Sequence, residues 1–314
     1  DAAQTALLRA TQSWPTAMPD DAGAWLYRVA QNHVLDELRR VKRDDRYAAE
    51  VQTEYAQQDV DEGVLRLLFV CADPEIPLES QLVLALKTLC GFSTREIALR
   101  LFLTEEAVHK RLQRARTALE GHAELRGVEP ARLEAVLQMI FLLFNEGYSS
   151  AQPDRLIRRE LCDEALHLAY SLRADPTGDV PELDALIALM HFHTARFDAR
   201  LDECGGLVLL EEQDRTRWNT AAIERGLEHL TLSARGSAVS RYHALAGIAA
   251  AHTLAPSYAE TDWEAVVRLY DTLERIAPSP LNVLNRAIAI AEWKGPDAAL
   301  TELDALAAPS WLQD

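Results

Sequence analysis

The stretch that decides the reading is Ser93–Leu119, STREIALRLFLTEEAVHKRLQRARTAL. Ser93 stands three residues before Glu96, the spacing of a capping box, in which the Ser oxygen and the Glu carboxylate each satisfy a free backbone N–H at a helix start. Ile97, Ala98 and Leu101 follow at helical spacing, so a short helix is predicted to end near Phe102-Leu103. Thr104 offers a second cap, after which Val108, Leu112, Ala115 and Leu119 step by four, three and four. With a preceding helix from about Leu84 that stops at Cys90-Gly91-Phe92, this is the layout of a helix-turn-helix.

The free face of the second helix carries Glu105, His109, Lys110, Gln113, Arg114 and Arg116, side chains long enough to reach base edges and phosphates in a major groove. Ser93, Thr94 and Arg95 at the start of the first helix, and Glu106 beside Glu105, complete the candidate surface. The two carboxylates oppose nonspecific affinity but suit selective readout, because a carboxylate accepts only from a base amino group such as that of cytosine. A solvated helix in an ordinary bundle has the same polar-face composition. Turn spacing and the capping box favour DNA.

Working outward, the chain has 314 residues, of which 48% are hydrophobic and 26% charged, a balance that excludes a disordered or collagenous protein. Periodic segments repeat at three and four rather than two, so the fold is expected to be all-α. The longest apolar stretches, Val136–Phe144 and Ala244–Ala251, are well short of the ~20 residues of a membrane span, and no signal peptide is recognisable. A cytoplasmic protein without membrane contact is expected. Net charge is −17 and unevenly placed: residues 1–120 hold 15 Lys and Arg against 19 Asp and Glu, whereas residues 121–314 hold 17 against 30. Basic residues of the front half gather at Arg39–Arg43 and Lys110–Arg116, so local cationic faces stand on an acidic chain. Cys71, Cys90, Cys162 and Cys204 are dispersed and read as buried thiols.

Ahead of the helix-turn-helix, one helix is predicted from about Asp1 to Gln12 and another from Pro19-Asp20-Asp21 to about Arg43. The second buries Leu26, Val29, Ala30, Val34, Leu38 and Val41, leaving Arg28, Asn32, Asp36, Arg39 and Arg43 on another face. Between Asp44 and Glu62 stand seven acidic residues and one basic residue, the composition of a tether. The expected organisation is a helical domain over 1–43, an acidic linker over 44–62, the helix-turn-helix domain over 63–121 and a helical extension over 122–314.

Within that extension, helices are predicted over 131–144, 154–171, 181–195, 215–233, 240–252, 262–276, 281–292 and 297–306. Glu164-Ala165 with Tyr170 matches Glu264-Ala265 with Tyr270 at an offset of 100 residues, about three times the ~34-residue tetratricopeptide period. The two-helix repeat shows best over 263–306, punctuated by Pro278, Pro280 and Gly295-Pro296. Stacked helix pairs leave a concave groove for a regulatory protein or peptide, and the acidic balance favours a basic partner.

No catalytic site, metal or cofactor is expected. His191 and His193, two residues apart on a helix, point about 200° apart and cannot clamp one ion. Ser149, Ser150 and Ser237 have no adjoining His and Asp, and no phosphate-binding Gly-rich loop is present. The carboxylates of Glu211-Glu212 diverge, and Leu207–Leu210 reads as a short strand or, more plainly, a buried loop edge.

The runs Ala24–Arg40 (AWLYRVAQNHVLDELRR) and Ala85–Ala98 (ALKTLCGFSTREIA), separated by the acidic tether, resemble RNA polymerase sigma factors of the extracytoplasmic-function type, a branch of the sigma-70 family. The resemblance implies that two small helical domains bind polymerase core and promoter DNA. Asn32, Asp36, Arg39, Arg40 and Arg43, with Arg28 on the same face, would meet the −10 element; Ser93, Thr94, Arg95, Glu105, Glu106, His109, Lys110, Gln113 and Arg114 would meet the −35 element. Asp1-Ala2-Ala3-Gln4 is similar to the family's D-x-x-Q on the helix that docks on polymerase, placing Asp1 and Gln4 there. The family carries one or two helices before that motif, so the resemblance implies residues ahead of Asp1. A subgroup with a C-terminal helical extension resembles the whole chain, in stretches such as Asn145–Ser149 and Leu209–Arg215. A helix-turn-helix regulator with a repeat-domain sensor, acting without core polymerase, is the alternative.

Overall fold

The computed structural model describes residues 62–88, 91–101, 103–120, 132–150, 156–202, 205–236 and 238–304. The chain divides into two compact units, Asp1–Asp59 and Val60–Asp314, and every described residue belongs to the second. The candidates Asp1, Gln4, Arg28, Asn32, Asp36, Arg39, Arg40 and Arg43 lie outside the described residues, as do all but the last residue of the acidic tether, Cys90 and Cys204.

The described residues form helices and no strand: α1 (Glu62–Cys71), α2 (Leu78–Thr88), α3 (Thr94–Arg100), α4 (Glu105–Glu120), α5 (Leu133–Tyr148), α6 (Arg159–Ala174), α7 (Pro181–Thr194), α8 (Thr220–Ser233), α9 (Arg241–Leu254), α10 (Trp263–Ile276), α11 (Pro280–Lys294) and α12 (Pro296–Asp304). The all-α expectation agrees. None of these helices is long and apolar enough to cross a membrane. Their boundaries follow local chemistry. Asn219 caps α8 through Ala222 N at 3.0 Å, Asp262 caps α10 through Ala265 N at 2.9 Å, and proline opens α7, α11 and α12.

Helix α7 is the hub. Ten consecutive residues, Leu183–Phe192, are buried, so it presents an apolar surface on every side and packs against α5, α6, α8 and α9. Its one buried carboxylate, Asp184, is enclosed by partners from other elements. Arg173 Nε and Arg235 Nη2 donate to it at 3.1 and 2.6 Å, and His229 Nδ1 lies at 3.0 Å. Tyr170 OH joins this group to His191, sharing hydrogen bonds with His191 Nε2 at 2.7 Å and His229 Nε2 at 3.2 Å. His193 instead packs against Tyr148, with ring centres 4.5 Å apart and ring planes tilted by 41°, so the two histidines serve separate clusters. Among the described residues no group of three or more candidate ligands could hold a metal.

One hydrophobic core runs from Leu65 in α1 to Ala250 in α9 and includes the interior of the helix-turn-helix. Leu68, Ala85 and Leu86 of α1 and α2 line the same small interior gap as Ile140 and Leu143 of α5 and Leu168 of α6. A smaller core follows, in which Val266, Ala287, Ile290 and Ala299 link α10, α11 and α12.

Three expectations are corrected. The helix predicted from 154 starts at Arg159, because Arg158 has φ −118° and ψ 79°, outside the helical region. The helix predicted from 215 is a 3-10 turn over Arg215–Arg217; Trp218 is extended and Asn219 starts α8 afresh. Leu207 and Leu209 are exposed rather than buried, and Leu207 forms an isolated antiparallel bridge with Leu201. Val208 and Leu210 between and beside them are half-buried, so the run alternates its exposure, which its apolar composition alone could not reveal. Cys71 and Cys162 are free and buried, as expected.

Candidate nucleic-acid interface

The site is assembled by its turns. After α2 the chain reverses at Gly91, whose φ of +67° is a conformation that side-chain-bearing residues rarely adopt. Lys87 Nζ closes the reversal by donating to Phe92 O at 3.0 Å, and the Phe92 ring is buried beneath it. Ser93 then caps α3: its Oγ accepts from Glu96 N at 3.2 Å while its own N–H donates to Glu96 Oε2 at 2.7 Å. This is the reciprocal box read from the sequence. Leu103 N returns to Ala98 O at 2.8 Å, and Thr104 Oγ1 accepts from Ala107 N at 3.2 Å to start α4.

The inward stripe of α4 is Val108, Leu112 and Ala115, each buried. Its opposite face is open: Glu105, Glu106, His109, Lys110, Gln113, Arg114 and Arg116 are all exposed, and so are Ser93 and Arg95 on the adjoining turn. Lys110 pairs with Glu106 at 2.7 Å, one turn apart, with both side chains mostly in solvent. Such a pair contributes ~0.5 kcal/mol or less and yields readily to a phosphate. Arg111 differs from its neighbours, being half-buried against Glu79 at 2.6 Å, so it belongs to the scaffold.

Thr94, His109 and Gln113 converge on one shallow depression, together with Lys87, Leu112 and Arg116. Thr94 Oγ1 also donates to Glu105 Oε2 at 3.5 Å across the two helices. Lys110 and Arg114 flank this depression without lining it. Lys87 was missed by pattern reading, because its contribution depends on the reversal at Gly91 folding α2 back toward α4.

Residues 1–44 match the sigma-70 region 2 family, and residues 74–119 match the sigma-70 region 4 family. The chain belongs to the sigma-70 family. A further match, to a family of unknown function designated DUF6596, covers residues 132–234. An uncharacterized protein of Rhizobium meliloti (strain 1021) is 38% identical over 326 residues, an alignment covering 98% of this chain and 76% of that one. No solved structure is significantly similar.

In this sigma-70 family protein the region 4 helices, and α1 just ahead of them, are bracketed by the segment that follows. Arg132 is buried and donates from Nη1 to Phe69 O at 3.0 Å, while its Nη2 lies 3.0 Å from Asp73. Arg158 sits over the Phe92 ring at 5.3 Å and within 3.7 Å of Glu96, the carboxylate that caps α3. The helix-turn-helix of this sigma-70 family chain is therefore fixed to α5 and α6 by both apolar packing and charge.

Proposed function

We propose that this chain directs RNA polymerase core to promoters as a sigma factor of the extracytoplasmic-function type, and that the helices beyond 132 regulate it through protein contacts in a tetratricopeptide-like groove. The observation that carries the reading is the division of α4 into a buried apolar stripe and a fully open polar face. In this reading, His109, Lys110, Gln113 and Arg114, with Glu105, Glu106, Ser93, Thr94 and Arg95 at the entry, contact the −35 element. Arg28, Asn32, Asp36, Arg39, Arg40 and Arg43 contact the −10 element, and Asp1 and Gln4 dock on polymerase. Affinity comes from phosphate contacts and selectivity from base edges. The work is done in the cytoplasm by binding, without catalysis.

Run-off transcription with purified polymerase core and the full chain tests the proposal. New promoter-specific transcripts are expected; duplex binding with no core-dependent transcript would indicate a regulator that works without core. For the regulatory part, Arg158→Ala loosens the bracket while leaving the outer face of α4 intact. A changed transcript yield at unchanged duplex affinity is expected, and an unaltered yield would remove regulation through this bracket.

A further inference from the structure

Three arginines meet where α5, α7 and α9 end. Arg196, just past α7, donates from Nη2 to the Tyr148 hydroxyl, and the same Nη2 lies 3.3 Å from His193 Nδ1. Arg200 donates to Tyr148 O at 2.6 Å and lies 3.6 Å above the Tyr148 ring. Arg215 donates from Nη1 to His252 O and Ala255 O, both at 2.8 Å, and stacks on Trp218 at 4.4 Å. The bond from Asn219 N to Ala195 O, 2.8 Å, holds the Arg215 turn against the end of α7.

No carboxylate among the described residues pairs with Arg196, Arg200 or Arg215. The charge of Arg196 acts on both neighbours: burial and then Arg196 lower the pKa of Arg215, and burial, with a smaller contribution from Arg196, lowers that of Arg200. His252 is pushed down to about 4 by burial and by Arg196 and Arg215, and His193 lies well below its ordinary range by burial and by Arg196 and Arg200. Both rings are therefore neutral, and the positive charge is that of the guanidiniums.

Holding helix ends does not account for the cluster. The three helix C-termini, of α5, α7 and α9, supply roughly half a negative charge each, against three full positive charges. Polar atoms also remain: among the described residues the donors Arg215 Nη2 and the Trp218 ring N–H, and the ring nitrogen His252 Nδ1, are buried with no hydrogen-bond partner. Nε and Nη1 of Arg196, and Nε and Nη2 of Arg200, are neither bonded within the described residues nor sealed from solvent. Guanidinium forks with free edges match the oxygens of phosphate and carboxylate.

We propose that the cluster is a binding site for a small dianion, a phosphate or a dicarboxylate, gripped by the free edges of Arg196 and Arg200 with Arg215 behind them. The charge is complementary, Arg196 and Arg200 share Tyr148 as a partner, and the site does not depend on the promoter-reading function. Because Arg200 holds the end of α5, and α5 packs on α2, occupancy bears directly on the scaffold of the helix-turn-helix.

Calorimetric titration of the full chain with inorganic phosphate and, separately, succinate, each against sodium chloride of matched ionic strength, tests it. Saturable binding of at least one anion is expected; phosphate alone marks a phosphate-bearing ligand and succinate alone a dicarboxylate. Arg196→Gln and Arg200→Lys should each weaken binding about tenfold or more, the loss of one charged hydrogen bond. Arg268→Gln, an exposed i,i+4 partner of Glu264, should leave it unchanged, and circular dichroism verifies folding. No binding beyond chloride, or binding unaltered in both Arg196→Gln and Arg200→Lys, overturns the proposal.

Discussion

Helices α4 and α7 are of similar length, 16 and 14 residues, and belong to the same compact unit, yet they use charge in opposite ways. Helix α4 buries one stripe and, Arg111 apart, holds its ions in solvent, where each is free to exchange partners. Helix α7 buries all its sides along ten residues and takes one carboxylate inside with it, surrounded by Arg173, Arg235 and His229. An ion on the first is available for recognition, whereas the ion on the second is committed to structure. Substitutions on α4 should therefore alter binding at constant stability, and those on α7 should do the reverse.

Acid should have the largest effect, and it should act through the buried histidines of α7 and α9. Burial, followed by the charges of His229 and Arg225, lowers His191 to about 3, while His252 lies at about 4 and His193 also well below 6.5. The unfolded chain protonates these groups near 6.5 and the folded chain does not, so unfolding takes up protons throughout the interval. Stability is thus complete above about pH 6.5 and falls with acidification, by up to about 1.4 kcal/mol per pH unit for each histidine. Asp184 adds a second loss at lower pH. Burial raises its pKa, but the hydrogen bonds of His229 and Arg173 outweigh that and hold it below 3.8, so its contribution disappears as pH falls through the folded value. Urea titrations across this range check both; a flat profile between pH 6.5 and 4 would contradict the histidine burial.

Next in size is Phe192→Ala. Phe192 is fully buried, and α8 approaches it so closely that a Cβ on Gly226 would lie 2.7 Å from its ring. The variant should lose about 3–5 kcal/mol of stability in urea unfolding. Asp184→Ala removes the shared partner of two arginines and a histidine and should cost about 3 kcal/mol, at the low end for a broken buried pair because Arg173 and Arg235 are partly exposed. On α4, Arg114→Ala should weaken promoter duplex binding by about 1–3 kcal/mol if it reads a base, while shifting stability by less than about 0.5 kcal/mol. Equal affinity for wild type, Arg114→Ala and Lys110→Ala would count against the −35 assignment. The smallest effect is that of Ser93→Ala, about 1 kcal/mol for a lost cap, visible as a lower urea midpoint.

What could be read without coordinates was whatever is encoded locally. Ser93 and Glu96 are three residues apart, so their reciprocal bonds follow from spacing alone, and the helices of the extension could be anticipated from prolines and three-to-four periodicity. The Asp184 group could not: its partners Arg173, His229 and Arg235 stand 11, 45 and 51 positions away, and nothing local to Asp184 announces them. The arginine cluster was equally hidden, although Tyr148 and Arg215 both fall within stretches singled out for their resemblance. The helices that become α2 and α5 were legible as helices, but periodicity does not say which surfaces meet, so the joint core remained invisible. Leu207–Leu210 shows the converse limit, since apolar composition does not by itself supply a covering neighbour.

Arg132 has a consequence for how this protein can be taken apart. A peptide bond cut somewhere between Glu120 and Arg132 would sever the backbone yet leave its guanidinium anchored to Phe69 and Asp73 and the leucines of α2 wedged against α5. The two pieces would travel together through gel filtration, and transplanting either one alone into another protein would carry along a raw, greasy wound in place of its missing half.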